Sequence, residues 1–175
     1  GAIDQRRADP DGGGAGRHLP MRKNRCFSST DNDTMTALTL PQAQGLITTA
    51  FATARAKGYK PMGLVVVDAA GQVKAAARED GASALRLDIA TGKACAALGM
   101  GVSSRVLTQR AKDLPAFFIS LASVSSQKFL PQTGAVLIKD AAGEVIGAAG
   151  ASGGTGDEDE EVCMAGIAAV GLSHA

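Results

Sequence analysis

Helical spacing of apolar residues begins only after residue 36. Ala43, Leu46, Ile47, Ala50, Phe51 and Ala54 recur as one face of an amphipathic helix. Thr39 and Gln42 stand in the spacing of a capping box, Pro41 falls in the first turn, and Lys57-Gly58 supplies the stop. The pattern then changes to two related units, LVVVDAAGQVKAAA at 64–77 and VLIKDAAGEVIGAA at 136–149. Each is an apolar run, Asp-Ala-Ala-Gly, and a second run, which predicts a β-hairpin with a four-residue loop. Asp68 and Asp140 can close these turns with their carboxylates, and Gly71 and Gly143 can take positive φ. Between the hairpins the spacing is helical again. Ser83 is the expected cap of a helix to about Leu98, with Leu85, Ile89, Ala96 and Ala97 inward and Gly99 and Gly101 as its end. A short helix is expected from Ser103 to Lys112. Another starts at Asp113-Leu114-Pro115, with Phe117, Phe118 and Leu121 on one face. The last helix follows SGGTG at 152–156, opens on five acidic residues and turns Val162, Ala165, Ile167 and Ala169 inward. The order α-ββ-ααα-ββ-α predicts an α+β fold, a central antiparallel sheet built from two hairpins and flanked by helices.

Composition sharpens this picture. The chain has 175 residues, of which 45% are apolar but only 3% aromatic, so the core is built from Ala, Val, Leu and Ile. Residues 1–35 are rich in Arg, Asp and Gly and lack apolar periodicity, which predicts a disordered tail followed by a single domain at 36–175. The tail has no apolar stretch for a secretory signal, and its five aspartates argue against a transit peptide. The chain begins with Gly1; Met21 and Met35 are candidate starts, and the foldable pattern begins right after Met35. A net charge of +1 gives no reason to expect nucleic acid or an anionic membrane as partner, and no apolar run is long enough to span a bilayer. Cys26, Cys95 and Cys163 are odd in number and form no C-x-x-C pair, so free thiols in a reducing, cytoplasmic compartment are expected. His18 and His174 lie near the chain ends, which leaves no histidine for a core catalytic or zinc constellation.

Four groups of residues carry candidate chemistry. Arg78 and Asp80 leave a strand and enter a helix, where Arg78 can clamp a carboxylate or a propionate, or pair locally with Asp80. Lys93 lies among alanines near Arg86 and Asp88, as a ligand-facing cation or a snorkelling surface lysine. The glycine-rich segment 150–156 matches neither nucleotide-binding glycine motif and is followed by acids, so it reads as a strand-to-helix turn capped by Thr155 and Glu158. Asp157, Glu160 and Glu161 fall at i, i+3 and i+4, a spacing that lets three carboxylates share a face and hold a hard cation or ferric iron.

LTLPQAQGLI near 38–47, VVVDAAG at 65–71, REDGA at 78–82, LDIATGKACAAL at 87–98 and VIGAAGASGGTGDEDEEV at 145–162 occur in an order that resembles the GlcG/HbpS family. That family includes haem-binding proteins and the C-terminal domain of PduO-type corrinoid proteins. The resemblance covers about residues 37–172 and implies a profilin-like fold, homo-oligomers, and haem or cobalamin as possible cofactors. It carries no core histidine over to this chain, so an axial ligand to haem would come from Tyr59, Met62, Met100, Met164, Cys95, Cys163 or a hydroxyl.

The expected function is that of an oligomeric, non-catalytic accessory protein that binds haem or a related tetrapyrrole. Arg78, Asp80, Lys93, Met100 and Phe117 are its candidate ligand-binding residues, with the region Met100–Phe118 as an apolar wall. Two alternatives stand beside it: an enzyme for a small carboxylate with Arg78 as clamp and Asp80, Asp88 or Lys93 moving the proton, and a ligand-free interaction protein. Ala- and Gly-rich stretches at 90–99 and 165–171 favour close approach of helices, expected at subunit contacts.

Overall fold

The fold is built around the two hairpins. The structure, a computed structural model, describes residues 37–126 and 128–175. The expected tail, with His18 and Cys26, lies outside the described residues. Strands β1 (Gly63–Asp68) and β2 (Val73–Arg78) form the first hairpin, and β3 (Ala135–Lys139) and β4 (Val145–Ser152) the second. Asp68 Oδ1 accepts from the amides of Ala70 and Gln72, and Asp140 Oδ1 from those of Ala142 and Glu144. Gly71 and Gly143 take φ of 74° and 86°, so both Asp-Ala-Ala-Gly loops close as their sequence predicts. β1 pairs with β4, and a strand the pattern does not announce, β5 (Ser173–His174), pairs with β3. The sheet is antiparallel in the order β2-β1-β4-β3-β5.

Strand alternation gives the sheet two buried faces. One carries Leu64, Val66, Val136, Ile138, Ala149 and Ala151 and is covered by α1 (Leu40–Ala56) and α5 (Gly156–Ala169). Both helices begin with a complete capping box, Thr39 with Gln42 and Thr155 with Glu158. They approach closely at Gly166, where a Cβ would lie 2.5 Å from the Leu46 carbonyl oxygen. The other face carries Val65, Val67, Ala135, Leu137 and Ala148, and α2 (Arg86–Met100) lies on it through Ala90, Ala94 and Ala97. The shorter helices α3 (Ser104–Asp113) and α4 (Pro115–Val124) pack beyond α2 around Leu107 and Phe118. Among the described residues no helix is long and apolar enough to cross a membrane.

Three local expectations are corrected. Ser83 does not cap α2: the cap position is Leu85, 64% exposed rather than inward, and the helix runs through Gly99 to a left-handed Gly101. The inward face of α5 is Asp159, Glu160, Val162, Cys163, Gly166 and Ile167, and Ala169 is exposed. Ala90, Ala94 and Ala97 of α2 face the sheet of their own chain and Ala96 packs on Leu107 and Phe118, so these alanines are not free for subunit contacts.

Candidate functional site

Helix α2 can lie close to the sheet because strand β4 offers it glycine. A Cβ on Gly150 would sit 2.4 Å from the Ala90 carbonyl oxygen. The close fit carries the Lys93 side chain into the protein. Its Nζ donates to Ala151 O at 3.1 Å and to Asp159 Oδ2 at 2.7 Å, with 7% and 2% of the two side chains exposed. Asp159 also accepts from the Gly154 amide at 3.1 Å through Oδ1. One buried ion pair therefore joins α2, β4, the glycine-rich turn and α5. Gly134, at φ 127°, passes over the pair, and a Cβ there would lie 2.5 Å from Lys93 Nζ.

A polar cleft of about 410 Å³ opens onto this pair. Arg86, two turns before Lys93 on α2, enters it and donates from Nη1 to Ser152 Oγ at 3.2 Å. Ile89 and Leu130 form an apolar wall, and Gln132, Thr133, Gly156 and Asp157 complete the rim. Outside the rim Arg105 donates to Glu160 Oε2 at 2.9 Å from Nε and 2.7 Å from Nη2, and to Asp157 Oδ1 from the same Nη2. Glu160 is 6% exposed, and its Oε1 has no partner among the described residues.

A second cleft, about 520 Å³ and largely apolar, lies at the other end of α2. Leu98, Met100, Leu121 and Phe129 line it, Lys128 stands at its edge, and Ala69–Gly71 of the first hairpin loop close one side. Cys95 lines it too. Burial pushes its thiol above the usual range, against an opposing pull from Lys128, so it stays protonated near neutral pH.

The structure sorts the sequence candidates between these places. Lys93 is neither a surface lysine nor a partner of Asp88, which is exposed; its partner is Asp159. Arg78 lines neither of these clefts: its Nη1 donates to Ala82 O within its own turn, and Asp80 is exposed. The neighbouring Glu79 instead accepts from the Met62 amide at 2.9 Å and pairs with Arg55. Met100 lines the apolar cleft, whereas Phe117 is 52% exposed outside it, edge-on to Phe118. The three-carboxylate cation site does not form. Asp157 and Glu160 are held by Arg105, while Glu161 points elsewhere, to Lys57 Nζ and, at 2.5 Å, the Tyr59 hydroxyl. Those two donors hold the Glu161 carboxyl below the usual range. Among the described residues no group of three His, Cys, Asp or Glu is placed to bind a metal. Of the possible axial ligands, Met62 and Cys163 are in the core, Tyr59 is engaged with Glu161, and Met100 and Cys95 reach a cleft. Asp159 and Gly134 escape a reading of spacing because they meet Lys93 across 66 and 41 positions of chain.

The family model described as haem degrading protein HbpS-like matches residues 38–168, three quarters of the chain. The chain belongs to this family. Both of its clefts fall within the matched segment. The crystal structure of a PduOC:haem complex is 25% identical, with a TM-score of 0.69, covering 78% of this chain and 97% of that one. The crystal structure of HbpS is 28% identical, with a TM-score of 0.66 and coverages of 76% and 89%. A double mutant of Streptomyces reticuli HbpS is 26% identical, with a TM-score of 0.66 and coverages of 89% and 97%. No curated protein sequence is significantly similar. The profilin-like α+β arrangement expected from the resemblance is the one this HbpS-like chain adopts.

Proposed function

We propose that this HbpS-like protein binds haem or a related tetrapyrrole as a homo-oligomer, in a non-catalytic accessory role. The observation that carries the reading is the apolar cleft at the C-terminal end of α2. Its donor set fits such a ligand: Leu98, Leu121 and Phe129 offer apolar contact to a flat macrocycle, and Lys128 offers a cation to a propionate. Met100 would offer a thioether to a bound iron, while the protonated Cys95 would be a poor donor. Bound haem would bring a redox-active iron to a site that offers it no histidine. Membership of a haem-related family and likeness to a protein solved with haem support the same ligand.

Assembly is supported by the surface around this cleft. Val124 lines it at 76% exposure, and the exposed Phe117, two turns earlier, lies on the same side of α4. A second copy seated there would cover the open side of the ligand and this surface together. Titration of the purified protein with haemin tests the proposal: a saturable Soret shift is expected. Lys128→Gln should weaken binding several-fold, and Met100→Leu should move the Soret band. The absence of a saturable shift, or one equal to that of an unrelated protein, overturns the reading. Light scattering that reports a monomer with and without haemin overturns the assembly.

A further inference from the structure

The polar cleft at the other end of α2 is lined by a different set of residues from the apolar one. Two cations reach it from one helix, Arg86 and Lys93, seven residues apart. Adjacent residues of β4 anchor them, Ser152 through its hydroxyl and Ala151 through its carbonyl, so the two charged heads converge. Lys93 has three N–H donors and uses two, on Ala151 O and Asp159 Oδ2; among the described residues the third has no acceptor. A donor on a side chain this deeply buried is costly to leave unmatched.

The ion pairs around the cleft leave one guanidinium open to a ligand. Of the four charged residues that line the cleft, Asp159 is paired with Lys93, and Asp157 shares Arg105 with the buried Glu160. Arg86 has no carboxylate partner among the described residues. On its other side Arg86 borders a space lined by Lys60 and Glu158, which carry opposite charges. A planar guanidinium with free N–H groups suits a carboxylate. The Ile89 and Leu130 wall suits a short carbon chain, and a cleft of about 410 Å³ has ample room for one. The spare Lys93 proton calls for an acceptor oxygen near that carboxylate. Phosphate fits worse, because its second negative charge would face Asp157 and Asp159.

We infer that this cleft binds a small monocarboxylic acid bearing a hydroxyl or carbonyl oxygen close to its carboxylate, with Arg86 on the carboxylate and Lys93 on the second oxygen. The inference does not rest on tetrapyrrole binding, because the two clefts share no lining residue.

Titration of the ¹⁵N-labelled protein with lactate, pyruvate, propionate and inorganic phosphate, followed by amide shifts, tests it. Saturable shifts at Gly154, Gly156 and Thr133 are expected with lactate or pyruvate. Propionate, which lacks the second oxygen, should bind about tenfold more weakly. Arg86→Gln should weaken lactate and pyruvate by about tenfold or more, Arg86→Lys by less, and both should leave the haemin titration unchanged. The wild-type titration stands alone should either variant fail to fold. Absent or non-saturating shifts, shifts centred elsewhere, indifference to Arg86→Gln in a folded variant, or phosphate binding more tightly than lactate and pyruvate would each overturn the assignment.

Discussion

Replacing Lys93 by Met removes the ammonium and keeps most of the side chain's volume. It leaves Asp159, 1% exposed, with the Gly154 amide but no cation. Breaking a buried pair from one side costs about 3–5 kcal/mol, because the remaining charge stays desolvated. Total stability for a domain is about 5–15 kcal/mol, so this is a large fraction of it. At roughly 3 °C per kcal/mol for a chain of this length, the melting temperature should fall by about 10–15 °C. The double variant Lys93→Met, Asp159→Asn removes both charges and should recover about 1–3 kcal/mol of the loss, since the two sites are coupled. Urea unfolding followed by far-UV circular dichroism measures all three chains. A single-variant loss under about 1 kcal/mol, or a double variant no more stable than the single, would refute the view that this pair ties α2 to α5.

Gly150→Ala should destabilise by about 1–3 kcal/mol in the same assay, because its Cβ would meet the Ala90 backbone and force α2 off the sheet. The Glu161 carboxyl is held low by Lys57 and Tyr59, so it contributes stability above the ordinary carboxylate range and loses it as pH falls through its lowered value. Wild type should therefore exceed Glu161→Gln in melting temperature at pH 7, and the gap should close in acid; a gap independent of pH counts against the interaction. Burial pushes the Cys163 thiol up, so peptide mapping after iodoacetamide treatment at pH 8 should find Cys163 unmodified in the folded protein and modified in urea. A chain beginning at Met35 should melt with the full-length protein, and a loss of several degrees would place residues 1–34 in the folded unit.

What the sequence reveals here depends on how local each determinant is. The two Asp-Ala-Ala-Gly loops and the two capping boxes are written in neighbouring residues, and all four form as read. The start of α2 is misread because Ser83 has cap chemistry, yet the backbone enters the helix at Leu85 without a side-chain cap. β5 has two residues and exists through pairing with Ile138 and Lys139, so no periodicity announces it. Arg78 has the chemistry of a carboxylate clamp, but the turn at Gly81 brings Ala82 O within reach and engages it locally. The carboxylates of α5 diverge because partners from other elements divide them: Lys93 takes Asp159, Arg105 takes Asp157 and Glu160, and Lys57 takes Glu161.

The small residues of α2 connect this fold to its two clefts. Read alone, a run of Ala and Gly suggests a helix waiting for another subunit. In the structure Ala90, Ala94 and Ala97 press the helix against β1, β3 and β4, and Gly92 meets Leu130, where a Cβ would lie 3.0 Å from that side chain. The close packing has two consequences. It lets Lys93 reach a strand carbonyl and an aspartate on the far helix, which a larger neighbour at position 90 or 94 would prevent by lifting the backbone. It also holds the two ends of α2 at fixed heights over the sheet, so that Arg86 meets Ser152 at one end while Leu98 and Met100 overhang the first hairpin loop at the other. A helix of 15 residues is about 22 Å long. The polar and apolar clefts therefore lie near opposite ends of one rigid element. Any coupling between their ligands would have to act through a shift of α2 along or away from the sheet, the movement that Gly150 and the Lys93–Asp159 pair resist.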